Sequence, residues 1–337
     1  MRRLLLPLAL LAGLALSAGT EARAPRLTLV RYDHHVHVHA PAMLDFLPTY
    51  CRSSSGGKCD PAFTTPRTVA QLIAAMDSAG IRRASLVSTG YLAQSAFIKP
   101  PAPDGATVLR ATNDFIVATA REHPDRFMAF IGVNPLTDTA LAEIERFSDD
   151  PAVAGVKLHL TNSGVDFRDP AHVARLAALF RAAGRHHMAI LAHIRTMRPD
   201  FGREDADIFL RDVLPAAGGT SVQIAHAAGW GGITPHTLGA LGAFADAFER
   251  DPRAMRNVSF DLAAVIGDSN EPGTRDQLAA LMRRIGMRHF VAGSDYPYAL
   301  DLRDHYDRVY PQLALSPADW RTLRGNVAPY LAKARRR

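Results

Sequence analysis

Long apolar runs, cysteines and glycine-rich phosphate loops are scarce in this chain, and each scarcity removes a class of function. After residue 16 no segment is long and apolar enough to cross the roughly 30 Å of a bilayer core as a helix. Only two cysteines occur among 337 residues, Cys51 and Cys59, so a zinc knuckle built on two thiolate pairs is excluded. No Gly-x-Gly-x-x-Gly turn follows the first apolar run, where His37-Val38-His39-Ala40-Pro41 stands instead, which argues against an open nucleotide-binding sheet. The body of the chain also lacks an excess of either charge. Of the net +6, residues 1–24 carry +2 and the last five carry +4, so the stretch between is neutral and offers a polyanion no footprint. Nucleic acid is set aside as a partner. With 47% hydrophobic and 21% charged residues, the remainder has the composition of a folded globular chain.

Residues 1–24 have the pattern of an export signal: Arg2 and Arg3, an apolar run over 4–16, then small Ser17, Ala18 and Gly19. The expectation is a periplasmic or secreted protein that leaves the membrane once the signal is removed. In that compartment Cys51 and Cys59, eight positions apart in a Ser-, Gly- and Pro-rich loop over 40–67, are expected to form a disulfide, and the loop to cover the site. The expected division is a signal over 1–24, a single domain over 25–332 and a basic tail over 333–337.

Within that domain, apolar β-branched runs alternate with amphipathic helical stretches. Strands are expected over 27–37, 84–89, 127–133, 155–160, 188–194, 222–227, 258–263 and 289–294. Thr65-Pro66, Asp169-Pro170 and Ser316-Pro317 read as helix starts, and Gly80, Gly184 and Gly286 as helix stops. Eight strand-then-helix units define an α/β fold, a (β/α)8 TIM barrel.

Such a barrel holds its chemistry at the C-terminal ends of its strands. The first strand ends in Asp33-His34-His35-Val36-His37-Val38-His39, and alternation puts Asp33, His35, His37 and His39 on one face, with Val36 and Val38 on the other. Several imidazoles on one dry face repel when charged and waste donors when neutral; a metal ion removes both costs. The fourth strand ends in Lys157 and His159, the fifth in His193, the sixth in His226 and the eighth in Gly293-Ser294-Asp295-Tyr296-Pro297. The fold brings all of these to one mouth.

This order of motifs resembles the amidohydrolase superfamily. Within it, the chain is most similar to the branch that holds aminocarboxymuconate-semialdehyde decarboxylase, resorcylate decarboxylases and pyrone-dicarboxylate lactonase, over residues 30–331. The resemblance implies a divalent metal, zinc ahead of manganese, held by His35, His37, His193 and Asp295, with His226 beside it to orient or protonate a small-molecule substrate. His37 and His39 form a second His-x-His pair; Asp33 in the family's leading position favours His35 and His37. Lys157 resembles the lysine that other superfamily members, urease among them, carbamylate to bridge two metals. One ion is expected, or two with that carbamate; the alternative pairs Lys157 with a carboxylate or a substrate anion. His159 is expected to polarise a substrate carbonyl or frame the pocket, Arg195 and Arg198 to pair with a substrate carboxylate, Tyr296 to form wall, and Asn134 and Asp261 to support ligand histidines. Self-association is left open.

The leading expectation is a hydrolase of a lactone, amide or ester, in which Asp295 takes a proton from a metal-activated water. The alternative on the same site is a decarboxylase of an aromatic or unsaturated carboxylic acid. A third reading is an exported binding barrel that turns nothing over.

Overall fold

Strands buried on both faces read as near-continuous apolar runs, and the eight runs of this chain become eight parallel strands. The computed structural model describes residues 30–266, 271 and 273–333. The strands are β1 (Tyr32–Val36), β2 (Arg83–Val87), β3 (Phe127–Gly132), β4 (Val153–His159), β5 (Ala189–His193), β6 (Val222–Ile224), β7 (Val258–Asp261) and β8 (Phe290–Val291). They pair in sequence order from β1 to β8. Backbone bonds between the ends of the sheet close it: His34 N–H to Ala292 O at 2.9 Å, Asp295 N–H to His35 O at 2.9 Å and His37 N–H to Tyr296 O at 2.7 Å. The result is a single-domain (β/α)8 barrel. The expected export segment over 1–24 and residues 334–337 of the basic tail lie outside the described residues. Among the described residues no helix is long and apolar enough to cross a membrane.

Helix ends follow local chemistry, with two corrections. Asp169 and Ser316 cap the helices Pro170–Arg185 and Pro317–Gly325 as expected, and Gly80 and Gly286 sit at C-terminal stops with φ of 77° and 101°. The helix Val69–Ala79, however, starts at Thr68 rather than Thr65, because Thr68 and Gln71 form a reciprocal capping box. Gly184 lies inside its helix, where an added Cβ would fall 2.6 Å from Ala217 O; close approach, and no helix stop, explains that glycine.

The loop expected over 40–67 is largely helical. Met43, Phe46, Leu47 and Cys51 are the buried residues of the helix Pro41–Ser55, and the first three pack against Tyr91, Leu92, Ile98 and Leu109. The Ser- and Gly-rich run that suggested a loop is confined to its end, while Pro48 is carried inside the helix. Cys51 and Cys59 are joined as a disulfide, with Cα atoms 5.5 Å apart. β6 and β8 are among the strands shorter than expected: β6 stops at Ile224, where the chain turns left-handed at His226, Ala227 and Ala228, and β8 has only Phe290 and Val291.

Candidate active site

One extra residue in β1 sets the site. Asp33 lies opposite Ala84 and Val36 opposite Leu86, so three steps along β1 match two along β2. This bulge breaks the alternation. Asp33 faces the outer layer with Val36, while His35 and His37 face the barrel interior. There Asp33 accepts from Tyr306 Oη at 2.9 Å and from the N–H groups of His35 and Ser294 at 3.1 Å each. Burial raises its pKa to about 6 despite these donors. The expectation that Asp33 shares a face with the histidines is therefore corrected: it ties β1 to the segment after β8. His39, left out of the preferred His35–His37 pair, has its ring nitrogens occupied by Thr89 Oγ1 at 3.0 Å and Phe63 O at 2.9 Å.

Three inward histidines are held in one tautomer. His35 Nδ1 faces Asp261 Oδ2 at 3.1 Å, His37 Nδ1 faces Val87 O at 2.7 Å and His226 Nδ1 faces Ala263 O at 2.8 Å. Carbonyl and carboxylate oxygens only accept, so each Nδ1 carries the proton and each Nε2 keeps its lone pair. The Nε2 atoms of His35 and His37 lie 3.7 and 3.3 Å from Asp295 Oδ1. Burial would raise the Asp295 pKa, but His35, His37 and His226 outweigh it and hold the carboxyl below its usual range. Lone pairs and a carboxylate converging in a dry space call for a cation.

His193 adds to that demand. It is fully buried, and among the described residues neither ring nitrogen has a hydrogen-bond partner. Its ring stacks on His159 at 3.9 Å and stands 5.0 Å from the His226 ring. Burial, with His159 and His226 adding to it, lowers its pKa well below the usual value. An unpaired buried polar group costs about 1–3 kcal/mol, and an ion at the centre would satisfy it. The donor set thus fits a divalent metal: neutral imidazole nitrogens and a carboxylate from β1, β5 and the end of β8. Lys157 Nζ reaches into the same space, 3.0 Å from His35 Nε2, and burial lowers its pKa to about 8.

Asp261 lies beside this set without belonging to it. Its two oxygens accept from His35 Nδ1, Gln223 Nε2 and the backbone N–H groups of His226 and Ala263, which fills the carboxylate. Gly293 makes room for the pair: a Cβ there would stand 3.2 Å from His35 Cβ and 3.5 Å from Asp261 Cβ. His226 and Asp295 adopt φ of 56° and 60°, a left-handed conformation costing roughly 1–2 kcal/mol. Such strain gathers at functional sites.

Other expected residues fall elsewhere. His159 places both ring nitrogens against Asn162, at 3.3 Å each, and so caps a turn and backs His193 rather than aiming a nitrogen at the centre. The Arg198 guanidinium is paired with Asp166 at 3.1 Å and Asp200 at 3.0 Å, and is not free for a substrate. Tyr296 packs in the outer core with Val36 and Val38, away from the mouth. Asn134 bonds Gln94 O and Leu136 N–H and supports no histidine. Arg195 is half-buried, and its guanidinium makes no ion pair or hydrogen bond among the described residues. Sequence reasoning passed over Trp230, Gln223 and Tyr330. Trp230, 6.2 Å from the His193 ring, is flanked by Gly229 and Gly231, and Gln223 is a polar residue inside an apolar strand; both are signals that position alone makes readable.

The family model for amidohydrolases matches residues 32–326, and the chain belongs to that family. No curated protein matches it. Among solved structures it is similar to 5-carboxyvanillate decarboxylase from Sphingomonas paucimobilis, at 15% identity over 91% of this chain and 98% of the other, with a TM-score of 0.60. A 2,6-dihydroxybenzoate decarboxylase complexed with 2,6-dihydroxybenzoate is 15% identical over 90% and 97%, with a TM-score of 0.54. A dihydroxybenzoic acid decarboxylase from a Polaromonas species, with bound manganese and 2-nitroresorcinol, is 15% identical over 87% and 94%, with a TM-score of 0.57. At such identity the likeness carries the fold. These relatives cleave carbon–carbon bonds, and that overturns the hydrolase expected as the leading activity. The motifs misled because one ligand frame serves both reactions; strand-end histidines specify where an ion sits and leave open which bond breaks.

Proposed function

We propose that this protein is a metal-dependent decarboxylase of a small aromatic carboxylic acid. The observation that carries the reading is an apolar collar around the polar cage. Among the described residues five large hydrophobic side chains are exposed, and four of them, Met197, Trp230, Tyr298 and Leu300, follow β5, β6 and β8 at the barrel mouth. A ring-bearing acid matches both features, apolar faces to the collar and carboxylate to the centre. The decarboxylase names of the similar structures support the same class.

In this reading His35, His37, His193 and Asp295 would hold the ion, manganese as in three of the similar structures or zinc. When bound, the ion would supply positive charge that neutralises the substrate carboxylate. The collar excludes water and holds the ring, and Arg195 at the rim attracts the acid. His226 faces the ring carbon with Nε2. His226 would first take a proton from solvent onto Nε2; as the bond to the carboxylate breaks and carbon dioxide leaves, its electron pair stays on the ring carbon, which takes that proton and returns His226 to its neutral form. Residues 1–24 support placing this activity outside the cytoplasm.

The test is a panel of hydroxylated benzoic acids incubated in heavy water with Mn2+ or Zn2+. Carbon dioxide release with one deuterium at the vacated carbon is expected. Absence of release from every acid, or cleavage of an ester or lactone with oxygen taken from labelled water, overturns it. Metal analysis in the same preparation separates a free Lys157 amine, at one ion per chain, from a bridging carbamate, at two.

Trp230 belongs to this reading as a ring platform. Trp230→Ala is expected to raise KM for the substrate roughly 3- to 10-fold with kcat nearly unchanged, since an aromatic pair contributes about 0.5–1.5 kcal/mol. Steady-state kinetics check this, and an unchanged KM removes Trp230 from the binding surface.

A further inference from the structure

The C-terminal segment fills the end of the barrel opposite the mouth, yet it is wired to the site. Ala328, Tyr330 and Leu331 cluster with Tyr32, Phe130 and Leu191 in the barrel floor. Tyr330 stands edge-on to Phe130, ring centroids 4.9 Å apart, and its hydroxyl donates to Gln223 Oε1 at 2.5 Å. Gln223, fully buried in the middle of β6, donates from Nε2 to Asp261 Oδ2 at 2.7 Å and to His34 O at 3.3 Å. The same Asp261 oxygen accepts from His35 Nδ1 at 3.1 Å.

Every direction in this chain of bonds is forced. The Asp261 carboxylate and the His34 carbonyl only accept, so the Gln223 amide nitrogen must face them. Its oxygen must then face Tyr330, whose hydroxyl must donate. Burial pushes the Tyr330 phenol above its usual range, which keeps that proton in place. Ser85 Oγ lies 3.3 Å from the same hydroxyl as its remaining partner. Phe130 and Leu191 show that this floor accepts purely apolar side chains. A hydroxyl and an amide buried there cost free energy unless paired, and the partners they have lead through the Asp261 carboxylate to the ring of His35 and to the backbone N–H of His226.

We propose that Tyr330 and Gln223 are positioning residues for the metal centre: they fix the Asp261 carboxylate, and through it the ring of His35, so that His35 Nε2 stays aimed at the ion. The inference rests on His35 being a metal-holding residue, and goes beyond it by making the C-terminal segment part of the site.

The test uses full-length protein stripped with chelator and measures the ions alone, Zn2+ by competition with a chromophoric chelator and Mn2+ by the EPR signal of the free ion. Tyr330→Phe keeps the ring and removes only the hydroxyl, and is expected to weaken binding roughly tenfold, as loss of a ligand's hydrogen-bonded support does. Gln223→Met is expected to weaken it at least as much. The double variant should be no worse than Gln223→Met, because both changes cut one chain. Phe130→Leu loosens the same floor without touching the bonds; it is expected to lower the Tm and leave the affinity unchanged. Equal affinity in wild type and Tyr330→Phe overturns the proposal. So does a loss in Phe130→Leu equal to that in Tyr330→Phe, which would make the effect one of packing. Wild type that binds neither ion defeats the metal reading itself, a result separable from the other two.

Discussion

Replacing His226 by asparagine is expected to lower kcat about 10³-fold while the metal content stays at its wild-type value. The magnitude is that of losing a positioned proton donor, about 10²–10⁴. Asparagine is the informative choice because His226 has φ of 56°, and asparagine is among the few residues that tolerate this left-handed conformation. Its amide can also keep a bond to Ala263 O, the partner of His226 Nδ1. What it lacks is a second nitrogen able to carry and release a proton. Kinetics with metal analysis on one preparation read both quantities. If the ion is lost along with the activity, His226 holds metal rather than moving a proton, and the assignment fails.

His193→Leu is expected to have the opposite signature on stability and an equally large effect on turnover. In the wild-type protein without metal, His193 buries two nitrogens that have no partner among the described residues. That costs about 1–3 kcal/mol, and a leucine of similar volume removes the cost. The metal-free variant should therefore melt no lower than metal-free wild type, and by this argument a few degrees higher. Adding Zn2+ or Mn2+ should raise the wild-type Tm by mass action and leave the variant unmoved. Activity should fall by about 10³-fold or more, to the level of chelated wild type, since the charge supplied at the centre is worth several kcal/mol. Thermal melts with and without ion decide it. A variant that still gains stability from metal would show that His193 is not a ligand.

The two variants probe residues whose identity was legible in the sequence and whose orientation was not. His35, His37, His193, His226 and Asp295 could be placed at one mouth because strand ends converge in a barrel whatever their separation in the chain. The wrong assignments have physical causes. A bulge in β1 turned Asp33 outward, and a one-residue change of register reverses the face of what precedes it. Tyr296 follows Asp295 on the chain but faces the outer core, because the left-handed turn at Asp295 redirects the chain before Tyr296 bridges to Val36. Arg198 was expected to meet a substrate, yet Asp166 and Asp200 were close enough to take its charge.

Hydrophobic periodicity, cap residues and the types of side chain at strand ends are local properties, and they determined the barrel, the place of the site and the identity of its candidate ligands. Tertiary structure decided the rest: which nitrogen of each histidine carries a proton, which carboxylate stays free for an ion and which is filled by donors, and that Tyr330, seven residues from the last, reaches His35. These depend on hydrogen-bond partners supplied by distant segments. A sequence records each partner, but only the closed sheet sets the distance between them.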